Sequence, residues 1–170
     1  MVRLETERLY MRPIVLDDVQ DLYELNLDPD VIKYTGDPPF KSIEDTHTFY
    51  ANYGQYKNYK MGRFSTFRKE DNAFIGWCGL KYHKGDNIDL GYRFSKNYWG
   101  QGYGTESSIA SLKYGFEELN LKSIYAEAMK ENPASIRIMQ KIGMTYVKDI
   151  DLEGHPGEYY EIKSDKYFSS

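Results

Sequence analysis

The chain has 170 residues, 41% hydrophobic and 28% charged, with a formal net charge of −4. Both percentages are ordinary for a globular fold, and the length suits one domain over residues 1–170 that can bury its own core. The acidic balance argues against bulk nucleic-acid binding, and no apolar run reaches membrane-spanning length. The N-terminus lacks a signal-peptide core, so the expected setting is the cytoplasm, with no membrane and no direct nucleic-acid partner. Cys78 stands alone, which excludes an intrachain disulfide. It lies between Trp77 and Gly79 in a strand-like run, with no histidine nearby. That reads as a buried structural thiol rather than a nucleophile. His47, His83 and His155 lack ligand-like spacing, so no metal is expected.

In chain order, Val2 to Arg12 predicts a strand ended by Pro13. Asp17-Asp18 opens a helix with Val19, Leu22 and Tyr23 on one face, its acidic start favoured by the helix dipole. Asp28-Pro29 breaks that helix, and Val31-Ile32 suggests a short further turn before the loop at Gly36-Asp37-Pro38-Pro39. Ser42 with Asp45 resembles a capping box opening a helix that carries Ile43, Phe49, Tyr50, Tyr53 and Tyr56. The tyrosines from Tyr50 to Tyr59 could form a base-stacking platform, but no arginines interleave them. Their helical spacing favours packing. Gly62 to Arg68 and Ala73 to Tyr82 read as a hairpin across Lys69-Glu70-Asp71-Asn72, and Lys84-Gly85-Asp86-Asn87 turns into a third strand.

That third strand alternates Ile88, Leu90, Tyr92 and Phe94 with Asp89, Gly91 and Arg93, then meets a turn with Gly100, Gly102 and Gly104 at every second position. From Thr105, the apolar residues Ile109, Leu112, Phe116 and Leu119 follow one helix face. A strand, a glycine turn and a helix make a seat for a diphosphate. Glycines lift the Cβ barrier in front of backbone N–H groups, and the first helical turn adds unpaired donors and a positive dipole end. A Walker loop is excluded because Thr105-Glu106 follows Gly104 where Lys-Ser/Thr is needed. A dinucleotide fingerprint is disfavoured because its third glycine would fall at Thr105.

After this helix, Asn120 supplies a C-terminal cap and Ile124 to Met129 a strand, so the crossover predicts a parallel pairing. Asn132-Pro133 opens a helix, Asn as cap and Pro as first helical residue, with Ile136, Met139 and Ile142 inward and Gly143 closing it. Met144 to Ile150 and Tyr159 to Tyr167 predict a closing hairpin over the loop Gly154-His155-Pro156-Gly157. The fold class is α+β.

Tyr98-Trp99-Gly100-Gln101-Gly102-Tyr103-Gly104-Thr105-Glu106 resembles the acetyl-CoA signature of the GNAT N-acetyltransferase superfamily, in its RimJ/RimL branch. The resemblance spans nearly the whole chain. It starts at Leu4-Glu5-Thr6-Glu7-Arg8-Leu9 with Arg12-Pro13 and takes in Asn132-Pro133-Ala134-Ser135 and Lys141-Ile142-Gly143-Met144. It implies a GNAT fold: a mixed, mostly antiparallel sheet flanked by helices, with a parallel strand pair diverging at the acetyl-CoA site. It also implies transfer of an acetyl group from acetyl-CoA to a primary amine, on a small molecule or a protein N-terminus. A homodimer is left open.

Under that resemblance, backbone groups of Tyr92, Arg93 and Phe94 pair with pantetheine like an added strand. Trp99, Gly100, Gln101, Gly102, Tyr103, Gly104 and Thr105 hold the pyrophosphate, and Asn132 and Ser135 meet the far end of the carrier. The chemistry needs a base, because an aliphatic ammonium must lose a proton before its nitrogen attacks. Glu127, five residues before Asn132, matches the family's general base; Asp89, on the strand before the glycine turn, is the other candidate. Each could equally be a surface or salt-bridged carboxylate. Ser135 aligns with a serine that bonds the CoA sulfur in some relatives, or is a plain first-turn residue. The family's frequent acid tyrosine falls at Met139, which has no proton to give. The rival readings are a CoA-binding sensor without turnover and, more distantly, a nucleotide-binding regulator.

Overall fold

The computed structural model describes residues 1–170, and its backbone is a single eight-stranded sheet with helices on both sides. The strands are β1 (Leu4–Glu5), β2 (Leu9–Pro13), β3 (Arg63–Arg68), β4 (Ala73–His83), β5 (Asn87–Phe94), β6 (Ser123–Met129), β7 (Thr145–Leu152) and β8 (His155–Lys163). They lie in the order β1-β2-β3-β4-β5-β6-β8-β7, antiparallel throughout except for β5 against β6. The helices are α1 (Val19–Leu27), α2 (Pro29–Ile32), α3 (Ile43–Ala51), α4 (Gln55–Tyr59), α5 (Tyr103–Lys113), α6 (Pro133–Lys141) and α7 (Ser164–Ser169).

Alternation along β4 and β5 sorts side chains between the two faces. Cys78, Leu80, Ile88, Leu90 and Phe94 join Leu112, Phe116 and Met139 in the apolar core between the sheet and α5 and α6. The opposite face is polar. There Arg12 donates from Nη1 to Asp18 Oδ2 at 2.7 Å, Ser65 Oγ donates to the same oxygen at 2.8 Å, and Arg93 Nη1 reaches Asn26 of α1 at 2.8 Å.

Several expected boundaries move. The first strand is two, because Thr6 N donates to Leu9 O at 2.9 Å and folds Val2–Pro13 into a small hairpin; Pro13 is its last strand residue rather than a stop. Ser42 caps α3 through Asp45 N at 3.0 Å, but the Asp45 carboxylate accepts from Lys41 N at 3.2 Å, one residue before the cap. The tyrosine run is split between α3 and α4 and forms a chain of edge-to-face and tilted rings from Phe49 to Tyr56, the packing reading. Helix α5 begins two residues early, and its buried face mixes small hydroxyls with apolar side chains: Ser107, Ser108 and Ser111 are buried beside Leu112, whereas Ile109 is 51% exposed. Small hydroxyls let this helix lie close to the sheet, where Cys78 Sγ sits 3.8 Å from Ser108 Oγ and 3.6 Å from Ser111 Oγ. Strand β8 starts at His155 after a tight Glu153-Gly154 turn, and Ser164–Ser169 is helix, so Tyr167 lies outside the strand. Asn120 does take the left-handed φ of +54° expected of a cap.

Candidate active site

The parallel pair has one paired position, Asp89 opposite Tyr125. Beyond it β5 stays with β4 as far as Phe94, and β6 stays with β8 as far as Met129. The two strands therefore part, and the cleft between them is bordered by Gly91–Phe94 on one side and Glu127–Met129 on the other. An open strand edge keeps unpaired backbone donors and acceptors, which an extended ligand can satisfy as an added strand.

The mouth of this cleft is the glycine turn. Gly100 and Gly102 have φ of +72° and +85°, conformations that an L side chain resists, and nothing lies within 4 Å of a Cβ built on Gly100. Gly102 caps α5, and its carbonyl accepts Glu106 N at 3.0 Å. The amides of Tyr103, Gly104 and Thr105 precede the first internal helical bond and have no backbone acceptor. Bare amides, an open approach and a positive helix end fit a diphosphate. Gly104 serves differently: a Cβ there would stand 2.8 Å from Ile138 Cδ1, so its hydrogen lets α5 and α6 touch.

The neighbouring side chains are mostly structural. Tyr103 is buried beneath Arg8, whose Cζ is 4.4 Å from the ring centroid. Trp99 spends its indole N–H on Phe94 O at 2.8 Å while its ring is 46% exposed, and Gln101 Nε2 donates to Asn97 O at 3.1 Å. Glu106 ties the turn to the N-terminal hairpin, accepting from Thr6 Oγ1 at 2.7 Å, Arg8 N at 2.8 Å and Arg8 Nε at 2.7 Å. Arg8 Nη1 also holds Gln101 O at 2.9 Å. Burial pushes the Glu106 carboxyl up, but the bonds from Thr6 and Arg8 outweigh it and hold it below its ordinary value.

The two candidate carboxylates stand in different surroundings. Asp89 lies against Arg63, Nη2 donating to Oδ2 at 3.0 Å and Nη1 3.0 Å from Oδ1, with side-chain exposures of 15% for Arg63 and 21% for Asp89. Gly91 makes room for that guanidinium, since a Cβ there would sit 2.7 Å from Arg63 Cζ. His83 Nε2 is 3.3 Å from Asp89 Oδ1. Burial pushes Asp89 up, yet Arg63, together with His83, more than offsets it and keeps the carboxyl below its usual range. Glu127 is exposed on β6 and engages no side chain in a hydrogen bond or ion pair. Partial burial, then the nearby Asp89 charge, raise its pKa, with His83 and Lys148 opposing. Tyr125 and Tyr159 stack beside it, centroids 5.0 Å apart, and Tyr159 faces Glu127 across β6 and β8.

The far wall holds Trp77, with Arg63 Cζ 5.4 Å and Arg93 Cζ 5.1 Å from its ring. Arg93 Nη2 reaches Asp37 of the α2–α3 loop at 2.8 Å. Arg63, Trp77 and Asp37 were not singled out from sequence, because each gains its place through partners far along the chain. Across the cleft Asn132 accepts Ser135 N at 3.3 Å as the α6 cap, and Ser135 meets Tyr92. Met139 is fully buried in the core.

Comparison with known proteins agrees with this geometry. The Acetyltransferase (GNAT) domain family matches residues 8–145. An uncharacterised N-acetyltransferase of Bacillus licheniformis, p20, is 32% identical over 145 residues, covering 84% of this chain and 82% of its own. The crystal structure of a GNAT-family acetyltransferase from Bacillus anthracis superposes with a TM-score of 0.82 at 30% identity, covering 96% of this chain and 99% of that one. Spermidine N-acetyltransferase from Vibrio cholerae, solved with CoA and spermine, shares the fold at a TM-score of 0.82 and 19% identity, covering 96% and 99% of the two chains. The cleft, its glycine mouth and a family match over most of the sequence agree: the chain belongs to the GNAT acetyltransferase family.

Proposed function

We propose that residues 1–170 form one N-acetyltransferase domain of RimJ/RimL type, in which Glu127 takes the proton from a primary amine as it attacks acetyl-CoA. The family carries the activity itself, acetyl transfer from acetyl-CoA to an amine. The observation that carries the site assignment is the single β5–β6 pairing, beyond which an open strand edge leads into the bare amides of the glycine turn. The Tyr98–Glu106 signature supports the branch.

The turn from Gly100 to Thr105 binds the diphosphate, with Trp99 flanking it, and the edge at Tyr92–Phe94 lines the pantetheine arm. In the reacting complex the amine nitrogen bonds to the thioester carbonyl carbon, the C–S bond breaks, and the nitrogen's proton leaves toward Glu127 or a water it holds. Thiolate and proton combine as free CoA. Asp89, tied to Arg63, holds the floor of the cleft, and its charge helps raise Glu127. A general base works best when its pKa lies near the operating pH, which favours an unpaired, raised carboxylate over one already neutralised by a guanidinium. Attack is direct, because the one thiol, Cys78, is fully buried. The stacked tyrosines beside Glu127 suit an amine on an extended aliphatic chain, a polyamine like that in the Vibrio relative's structure, or a protein N-terminus.

Thiol release from acetyl-CoA, measured against a panel of primary amines, tests this reading. Amine-dependent release supports it. Binding of CoA with no release above background for any amine would mark a binding module and overturn it.

A further inference from the structure

We infer that Tyr92 is a positioning residue for the leaving thiolate: its hydroxyl, reaching across the cleft to the first turn of α6, sets the Ser135 hydroxyl to donate a hydrogen bond to sulfur. The inference rests on the proposed function and assigns the hydrogen-bond donor that Met139 cannot supply.

Tyr92 lies three residues beyond Asp89, the last point where β5 and β6 pair, so its backbone borders the open cleft. Its side chain turns from the Arg63–Asp89 face toward α6. There Tyr92 Oη stands 2.8 Å from Ser135 Oγ and 3.0 Å from Ser135 O. Burial pushes the phenol up, although the bond to Ser135 opposes this, so Tyr92 keeps its proton at neutral pH.

Three oxygens share two protons. The Ser135 carbonyl accepts only, while the phenol and the serine hydroxyl can each donate one hydrogen and still accept. In one arrangement Tyr92 donates to the carbonyl and Ser135 donates back to Tyr92, which leaves no hydrogen for a ligand. In the other, Tyr92 donates to Ser135 Oγ and the serine hydrogen points away from the pair. A thiolate forming beside Ser135 selects the second. The serine O–H then donates a hydrogen bond to the sulfur as the C–S bond breaks, both hydroxyls keep their protons, and the thiolate is protonated to free CoA by the proton that the attacking amine released in the same turnover. Charge and protons balance with no further reactant. A hydroxyl on α6 is the simpler donor, but the position one helical turn beyond Ser135 is Met139, buried in the core. The strand supplies the phenol instead.

The test is a cycle of Tyr92→Phe, Ser135→Ala and the double variant, with Ser135→Thr as the hydroxyl-retaining control. Tyr92→Phe keeps the ring and its packing. A thiol near pKa 8.5 leaves readily, so the loss sits at or below the low end of what a catalytic proton or hydrogen-bond donor contributes, about 10- to 100-fold in kcat. Expected are this drop in Tyr92→Phe and Ser135→Ala, no further drop in the double variant, recovery in Ser135→Thr, and a CoA dissociation constant within about twofold of wild type throughout. A purely structural tyrosine would weaken CoA binding or lower the melting temperature while kcat holds. Unchanged kcat in Tyr92→Phe, or losses that multiply in the double variant, would overturn the inference. If the wild-type protein turns over no amine, the proposed function fails first; if it does and the variants match it, this inference alone fails.

Discussion

Replacing each carboxylate by its amide separates two roles. Glu127→Gln keeps the shape of an exposed, unpaired side chain, so stability should be unchanged. Removing a positioned base typically costs at least about 100-fold, or about 2.7 kcal/mol in the barrier. Asp89→Asn does the reverse. It strips the counter-charge from Arg63, which is 15% exposed and 3.0 Å away, and a buried ion left unpaired costs about 3–5 kcal/mol. At roughly 2–4 °C per kcal/mol for a chain of this size, its melting temperature should fall by about 6–20 °C. The assay is kcat as a function of pH with a saturating amine, beside calorimetric melting of each variant. Because the folded environment raises Glu127, the wild-type acid limb should bend above 4.5, the ordinary glutamate value, and Glu127→Gln should lose that limb. Full turnover in Glu127→Gln, with a well-folded Asp89→Asn that is slow, would refute the reasoning and transfer the base to Asp89.

Gly102→Val places a β-branched residue at φ +85°, a strain of about 1–3 kcal/mol, and disturbs the cap of α5; titration calorimetry should show CoA affinity reduced more than about tenfold. The Glu106 carboxyl is depressed on folding, so its stabilising bonds to Thr6 and Arg8 are fully present above the unfolded value of 4.5 and disappear as pH falls through the lower folded value. Melting curves across that acid window should therefore be less steep in pH for Glu106→Gln, which should also be less stable than wild type at neutral pH. Cys78 is fully buried and burial raises its thiol, so a disulfide reagent should titrate no thiol in the native protein and one after denaturation, with activity unaffected before unfolding.

Features written in adjacent residues were legible in the sequence. Asn132-Pro133 caps α6 as expected, the alternation from Ile88 to Phe94 sorts the faces of β5, and the Gly100–Gly102 spacing marks the turn. Features made by distant partners were not. The Arg63 guanidinium that pairs with Asp89 is 26 residues away in sequence, and Ser135, which meets the Tyr92 hydroxyl, is 43 away. Of the face expected from Thr105 onward, Leu112 and Phe116 do enter the core, but Ile109 points to solvent, because close approach of the first turns to the sheet requires the serines. The last strand was overextended because Tyr167 suggested continued alternation, although Asp165 sits where an acidic residue favours a helix start.

Calorimetric titration of the folded protein with acetyl-CoA and with free CoA tests the account most directly. It predicts saturable heat with both, at one site per chain, and a much weaker signal from Gly102→Val at unchanged folded content. Well-folded wild-type protein that gives no heat with either ligand would contradict it.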